Sequence, residues 1–115
     1  MKVLLVDDEQ LQLIRLETAV KKVLPVETEF FSYLNSVEAI EQNRTRKIDV
    51  AFLDIDMPKI NGIQLAKKLK SVNPSVNIIF VTAYNDYALD AHKLHASGYI
   101  TKPVNENKVK EEIEG

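Results

Sequence analysis

Val50-Ala51-Phe52-Leu53-Asp54-Ile55-Asp56-Met57-Pro58 sets an unbroken apolar run directly against two acids and a proline. A strand with one face in water alternates apolar and polar side chains, whereas a strand covered by helices on both faces has no need to. Val50–Leu53 is of the second kind. So are Val3–Val6 and Asn77–Val81, the latter apolar from Ile78 onward. Two more runs, Val26–Phe31 and Tyr99–Ile100, complete a series repeating at about 22–27 residues, enough for a strand, a loop and a helix and too long for a hairpin. Val26-Glu27-Thr28-Glu29-Phe30-Phe31 alternates more than the others, which suits an edge strand.

The intervening segments carry helical spacing. Leu13, Leu16, Val20 and Val23 form an amphipathic stripe that Pro25 stops. Val37 and Ile40 mark a shorter helix starting at Asn35 or Ser36, both good caps. Gly62, Ala66, Leu69 and Val72 mark a third, ended by Asn73-Pro74. A fourth runs through Tyr84, Tyr87, Ala88, Ala91 and Leu94, and a fifth through Val109 and Ile113. The pattern is (βα)5, which predicts a single α/β domain built on a doubly wound sheet of five parallel strands.

Composition narrows the class. The chain has 115 residues, 45% of them hydrophobic, and no cysteine, so it is one domain with neither a disulfide framework nor a thiolate metal site. Fifteen basic residues against 17 acidic ones leave −2, which does not suit a polyanionic partner. No apolar run approaches the roughly 20 residues of a membrane span. Acids begin at Asp7, which leaves no secretory signal, so a soluble cytoplasmic chain without a membrane partner is expected.

Ligands of doubly wound sheets bind beyond the carboxyl ends of the strands. The residues there are Asp7 and Asp8, then Asp54 and Asp56, then Thr82, then Thr101, Lys102 and Pro103. Clustered carboxylates repel, by about 4 kcal/mol per pair at 4 Å and an effective dielectric near 20. Lys102 or a hard divalent cation offsets that, and an all-oxygen donor set suits Mg2+ better than Zn2+. A carboxylate nucleophile, a metal, a hydroxyl and an ammonium group are what phosphoryl transfer requires.

These residues resemble the receiver domain of bacterial two-component response regulators. The resemblance rests on Asp7-Asp8-Glu9, Leu53-Asp54-Ile55-Asp56-Met57-Pro58 with Asn61-Gly62, Val81-Thr82-Ala83, and Gly98-Tyr99-Ile100-Thr101-Lys102-Pro103, in order over the whole chain. Thr82–Tyr99 is similar, more narrowly, to regulators with a LytTR-type (LytR/AlgR) DNA-binding output domain. The resemblance implies a flavodoxin-like sheet of order 2-1-3-4-5. It implies Asp54 as acceptor of a phosphoryl group from a sensor histidine kinase. Mg2+ would be held by Asp8, Asp54 and the backbone carbonyl of Asp56, with Asp7 acting mainly through water. Thr82 and Lys102 would contact the phosphoryl oxygens, Lys102-Pro103 would be a cis peptide, and Tyr99 would turn inward as the switch aromatic. The face of the fourth helix, fifth strand and fifth helix would carry the output, through dimerisation or release of an inhibited partner. Such a domain is a regulatory phosphoacceptor and not an enzyme in the usual sense. Five βα units use residues 1–115, so DNA would be reached only through an output domain outside them. Asp56 and Tyr84, two residues beyond Asp54 and Thr82, depart from what is common there and are expected to tune the phosphoryl lifetime, Tyr84 by shielding the path of the hydrolytic water.

Plainer readings stand beside these. Asp7-Asp8 suits a helix cap, Asp54 a turn, Thr82 a strand-end hydroxyl, Lys102 a solvated cation and Tyr99 core packing. His92 and His95 lack a third ligand. Arg44-Thr45-Arg46-Lys47 reads as a solvated loop. A phosphatase resembling the haloacid dehalogenases would place its Asp-x-Asp after the first strand, not the third. A flavodoxin-like cofactor binder would need a Gly or Ser/Thr run after the first strand, and there is none. A receiver fold kept only for docking a partner usually lacks the acceptor, the acid pair or the lysine, and all are present.

Overall fold

The computed structural model describes residues 1–83 and 96–114. The fourth predicted helix, with Tyr84, His92 and His95, lies outside the described residues. The described elements are β1 (Lys2–Val6), α1 (Gln10–Val23), β2 (Glu29–Tyr33), α2 (Ser36–Gln42), β3 (Val50–Leu53), α3 (Gly62–Val72), β4 (Asn77–Thr82), β5 (Gly98–Thr101) and a C-terminal helix (Glu106–Glu114). All strand pairs are parallel, and the order is β2-β1-β3-β4-β5.

Side chains alternate across a strand, so a sheet covered on both sides sorts each apolar run into two cores. Leu4, Val6, Leu53 and Phe80 pack with Ala39, Leu65 and Leu69 beneath α2 and α3. Val3, Leu5, Phe52 and Val81 pack with Leu13, Leu16, Val20 and Val109 beneath α1 and the C-terminal helix. This is why the three unbroken runs are unbroken.

Local chemistry sets the helix ends. Leu24 is extended (φ −86°, ψ 154°), as a residue before proline tends to be, and α1 stops at Val23. Asn35 caps α2, its side chain accepting the Val37 and Glu38 N–H groups at 2.8 and 3.1 Å. Asn61 and Gln64 close a reciprocal capping box on α3.

One strand lies elsewhere than expected. The second strand is Glu29–Tyr33, not Val26–Phe31. The Thr28 N–H donates to the Pro25 carbonyl at 3.0 Å, closing a turn that leaves Val26 fully exposed. Pairing then starts with Glu29, whose N–H reaches Met1 O. As expected of an edge strand, β2 is only partly buried.

Candidate functional site

Parallel register brings the strand ends level. Val6 pairs with Leu53 and Leu53 with Phe80, so Asp7 and Asp54 emerge side by side, and the Asp54 N–H still donates to Val6 O at 3.0 Å. Thr82 pairs with Thr101, and the Lys102 N–H donates to Thr82 O at 2.9 Å. Chain segments far apart in sequence thus deliver acids, a hydroxyl and an ammonium to one point.

Asp7 and Asp54 are almost wholly buried, at 1% and 4% exposure, and Asp8 is exposed. Lys102 Nζ lies 2.7 Å from Asp7 Oδ2 and 3.4 Å from Asp54 Oδ2. The other oxygen of Asp7 accepts the Glu9 N–H at 2.9 Å, so Asp7 holds both the lysine and the start of α1. The residue at the cap of α1 is Glu9, whose side chain makes no capping bond. Lys102 is itself positioned from behind: Lys108 Nζ donates to the carbonyls of Thr101 and Pro103, each at 2.9 Å, and the Lys102-Pro103 peptide is cis.

Titration reflects the crowding. Burial pushes the Asp54 carboxyl up to about 6, and the Asp7 charge adds to this, although Lys102 and a hydrogen bond from Thr82 oppose it. Burial, followed by the Asp7 charge, also raises Asp8. For Lys102 burial acts downward, but its bond to Asp7 and the charges of Asp54 and Asp7 outweigh that and raise it.

Oxygens of Asp7, Asp8 and Asp54 all lie within 4.8 Å of one another. Hard oxygen donors at that separation, two of them with raised proton affinity, fit a small hard cation such as Mg2+. Beside the cluster opens a cleft of about 440 Å³ bounded by Glu9, Gln12, Arg15, Asp56 and Pro103, with Asp54 and Lys102 in its wall.

The approach of α3 is set by Gly62. A Cβ there would collide with the Asp54 carbonyl oxygen and sit 2.8 Å from Ile55 Cα, so only glycine lets the helix start against the loop that follows β3. Its N–H donates to Ile55 O at 2.9 Å. Between them the loop bends through Lys59 at φ 66°.

Compared with known proteins, residues 3–114 match the model of the response regulator receiver domain. The chain belongs to that family. This receiver is 36% identical to the sensory transduction protein LytT of Bacillus subtilis (strain 168), over 98% of its own length and 46% of LytT. It is 38% identical to LytT of Enterococcus faecalis (strain ATCC 700802 / V583), over 99% and 47%. The chain thus spans about half the length of the curated relatives it matches. Among solved structures it is similar to the response regulatory domain of mrkE from Klebsiella pneumoniae (TM-score 0.87, 29% identity, covering 99% of this chain and 93% of that one). It is also similar to response regulator TrrA from Thermotoga maritima, in complex with Mg(2+)-BeF (TM-score 0.79, 28% identity, 98% and 96%).

Of the expected site residues, the receiver brings together Asp7, Asp8, Asp54, Thr82 and Lys102. Asp56 stands on the cleft rim, Tyr99 packs on the α2–α3 core, and Tyr84 lies outside the described residues. Sequence reasoning passed over Gln12, Arg15 and Lys108. The first two were findable, because Gln12 and Arg15 stand at i and i+3, on one face of the helix that follows Asp7-Asp8. No helix among the described residues is long and apolar enough to cross a membrane.

Proposed function

We propose that this receiver is a phosphorylation-dependent switch that takes a phosphoryl group from a sensor histidine kinase onto Asp54. The supporting observation is Asp54 itself: a buried carboxylate in the wall of an open cleft, bridged by Lys102 to Asp7 and within 4.8 Å of two other acids.

Asp8, Asp54 and the Asp56 carbonyl would hold Mg2+, with Asp7 acting through water. When bound, the ion neutralises charge on the phosphoryl oxygens and the acceptor. Asp54 attacks phosphorus with a carboxylate oxygen, the bond to the donor nitrogen breaks, and the electron pair leaves with the imidazole. Lys102 and Thr82 turn from the carboxylate toward the new phosphoryl oxygens. About −1.5 to −2 charges then sit where an ammonium and a hydroxyl can reach them in only one conformation. Contacts confined to one state shift a two-state equilibrium toward it. Tyr99, on β5 two residues before Thr101, follows Thr82 inward. The face of the fourth predicted helix, β5 and the C-terminal helix transmits the change, by pairing with a second copy or by freeing a partner. Asp56 and Tyr84 set how long the phosphoryl group survives. Transcription is the output, through a DNA-binding domain of LytTR type in a longer, cytoplasmic regulator.

The test is intact-mass measurement after incubation with Mg2+ and phosphoramidate. One added phosphate, absent in Asp54→Ala and without Mg2+, is the expected result. No adduct under conditions that label a control receiver overturns the reading.

A further inference from the structure

The acceptor cleft has a second cation that the switch does not use. Arg15 of α1 is exposed and lines the same cleft as Asp54 and Lys102, and among the described residues its side chain forms no hydrogen bond or ion pair. Lys102 is committed to Asp7 and Asp54. Carboxylates outnumber cations around the opening, with Glu9, Asp54 and Asp56 in its wall and Asp7 and Asp8 beside it. Beyond the phosphoryl group, which Mg2+ and Lys102 would meet, Arg15 is the cation that the described cleft wall offers to the rest of an anionic donor.

We infer that Arg15 binds the acyl leaving group when the phosphodonor is a small acyl phosphate. This rests on Asp54 being the acceptor. In transfer from an acyl phosphate, an Asp54 oxygen forms the new P–O bond and the P–O bond to the acyl group breaks. The electron pair departs on the acyl oxygen as a carboxylate, and no proton is needed. Negative charge therefore grows on the leaving group, on the side of phosphorus away from Asp54. A guanidinium pairs with a carboxylate through two parallel N–H bonds, a match neither a lysine nor an amide provides. Arg15 lines the same cleft as the nucleophile, so its guanidinium borders the space the leaving group has to cross.

The leaving group decides the test. Acetyl phosphate releases acetate, whereas phosphoramidate releases neutral ammonia. Initial rates of Asp54 phosphorylation with Mg2+ are compared for the parent chain, Arg15→Gln, Arg15→Lys and, as a control cation on the same helix outside this cleft, Lys22→Gln. Arg15→Gln should slow labelling by acetyl phosphate about tenfold or more, the loss of one charge-assisted contact. It should leave the phosphoramidate rate within twofold, Arg15→Lys should recover only part, and Lys22→Gln should change neither rate. Acetonylphosphonate, an unreactive analogue, should bind Arg15→Gln correspondingly more weakly by calorimetry. Equal slowing with both donors, or no slowing with either, overturns the inference. If the parent chain takes phosphate from neither donor, it is the Asp54 reading that has failed instead.

Discussion

At the scale of single residues, Asp54 is held in tension between burial and charge. The Asp54 carboxyl titrates near 6 in the folded chain against 3.8 unperturbed. Between those values the native state binds more protons than the unfolded one, so this group removes stability as pH rises from about 4 to 6 and no more above that. Asp54→Asn carries no such charge. In metal-free buffer its stability advantage over the parent should therefore grow across that window, by about 3 kcal/mol at the plateau. Urea unfolding at a series of pH values measures this, and a difference that stays flat from pH 4 to 7 contradicts the burial argument. Lys102 acts in the opposite sense. Lys102→Met leaves Asp7 and Asp54 buried without their cation and should cost about 3 kcal/mol at pH 7. A loss below about 1 kcal/mol would mean that water already screens the pair.

Among the elements, α3 is the one whose position is most tightly bound to the site. Its first residue has no room for a side chain against residues 54–55. Gly62→Ala must push α3 or residues 54–55 away, at a cost of about 1–3 kcal/mol. Phosphorylation should slow along with the loss of stability, and a variant of parental stability that labels at the parental rate would show that the loop yields freely. The Asn35 cap of α2 lies outside the cleft that Asp54 lines: Asn35→Ala should cost about 1 kcal/mol and leave the labelling rate unchanged. Legibility differed between elements for physical reasons. Strands β1, β3 and β4 could be read because burial on both faces leaves unbroken apolar runs. The edge strand could be read only roughly, since its apolar residues are shared with a turn. The alternation from Val26 cannot reveal that the Pro25 carbonyl captures the Thr28 N–H and shifts the strand toward Tyr33. The Asn61–Gln64 box is written in the sequence as an i, i+3 spacing.

For the whole molecule, the parallel order β2-β1-β3-β4-β5 turns a linear sequence into a site. Asp7, Asp54, Thr82 and Lys102 could be picked out beforehand because each follows an apolar run, and a doubly wound sheet collects such residues on one edge. The division of labour within that edge was not legible. That Lys102 sits closer to Asp7 than to Asp54, that Lys108 clamps the loop behind it, and that Arg15 faces the cleft all depend on side-chain packing between distant segments. No periodicity encodes them. The same order sets Thr82 at the end of β4 beside β5, whose Tyr99 packs against the α2–α3 core. The central claim is that one carboxylate in this fold becomes an acyl phosphate. Borohydride reduction of the phosphorylated chain, followed by peptide sequencing by mass spectrometry, tests it most directly, because reduction converts an aspartyl phosphate to homoserine. The account predicts homoserine at position 54 alone, dependent on Mg2+ and phosphodonor. Homoserine at another carboxylate, or a phosphate that survives reduction on a hydroxyl or imidazole, would contradict it.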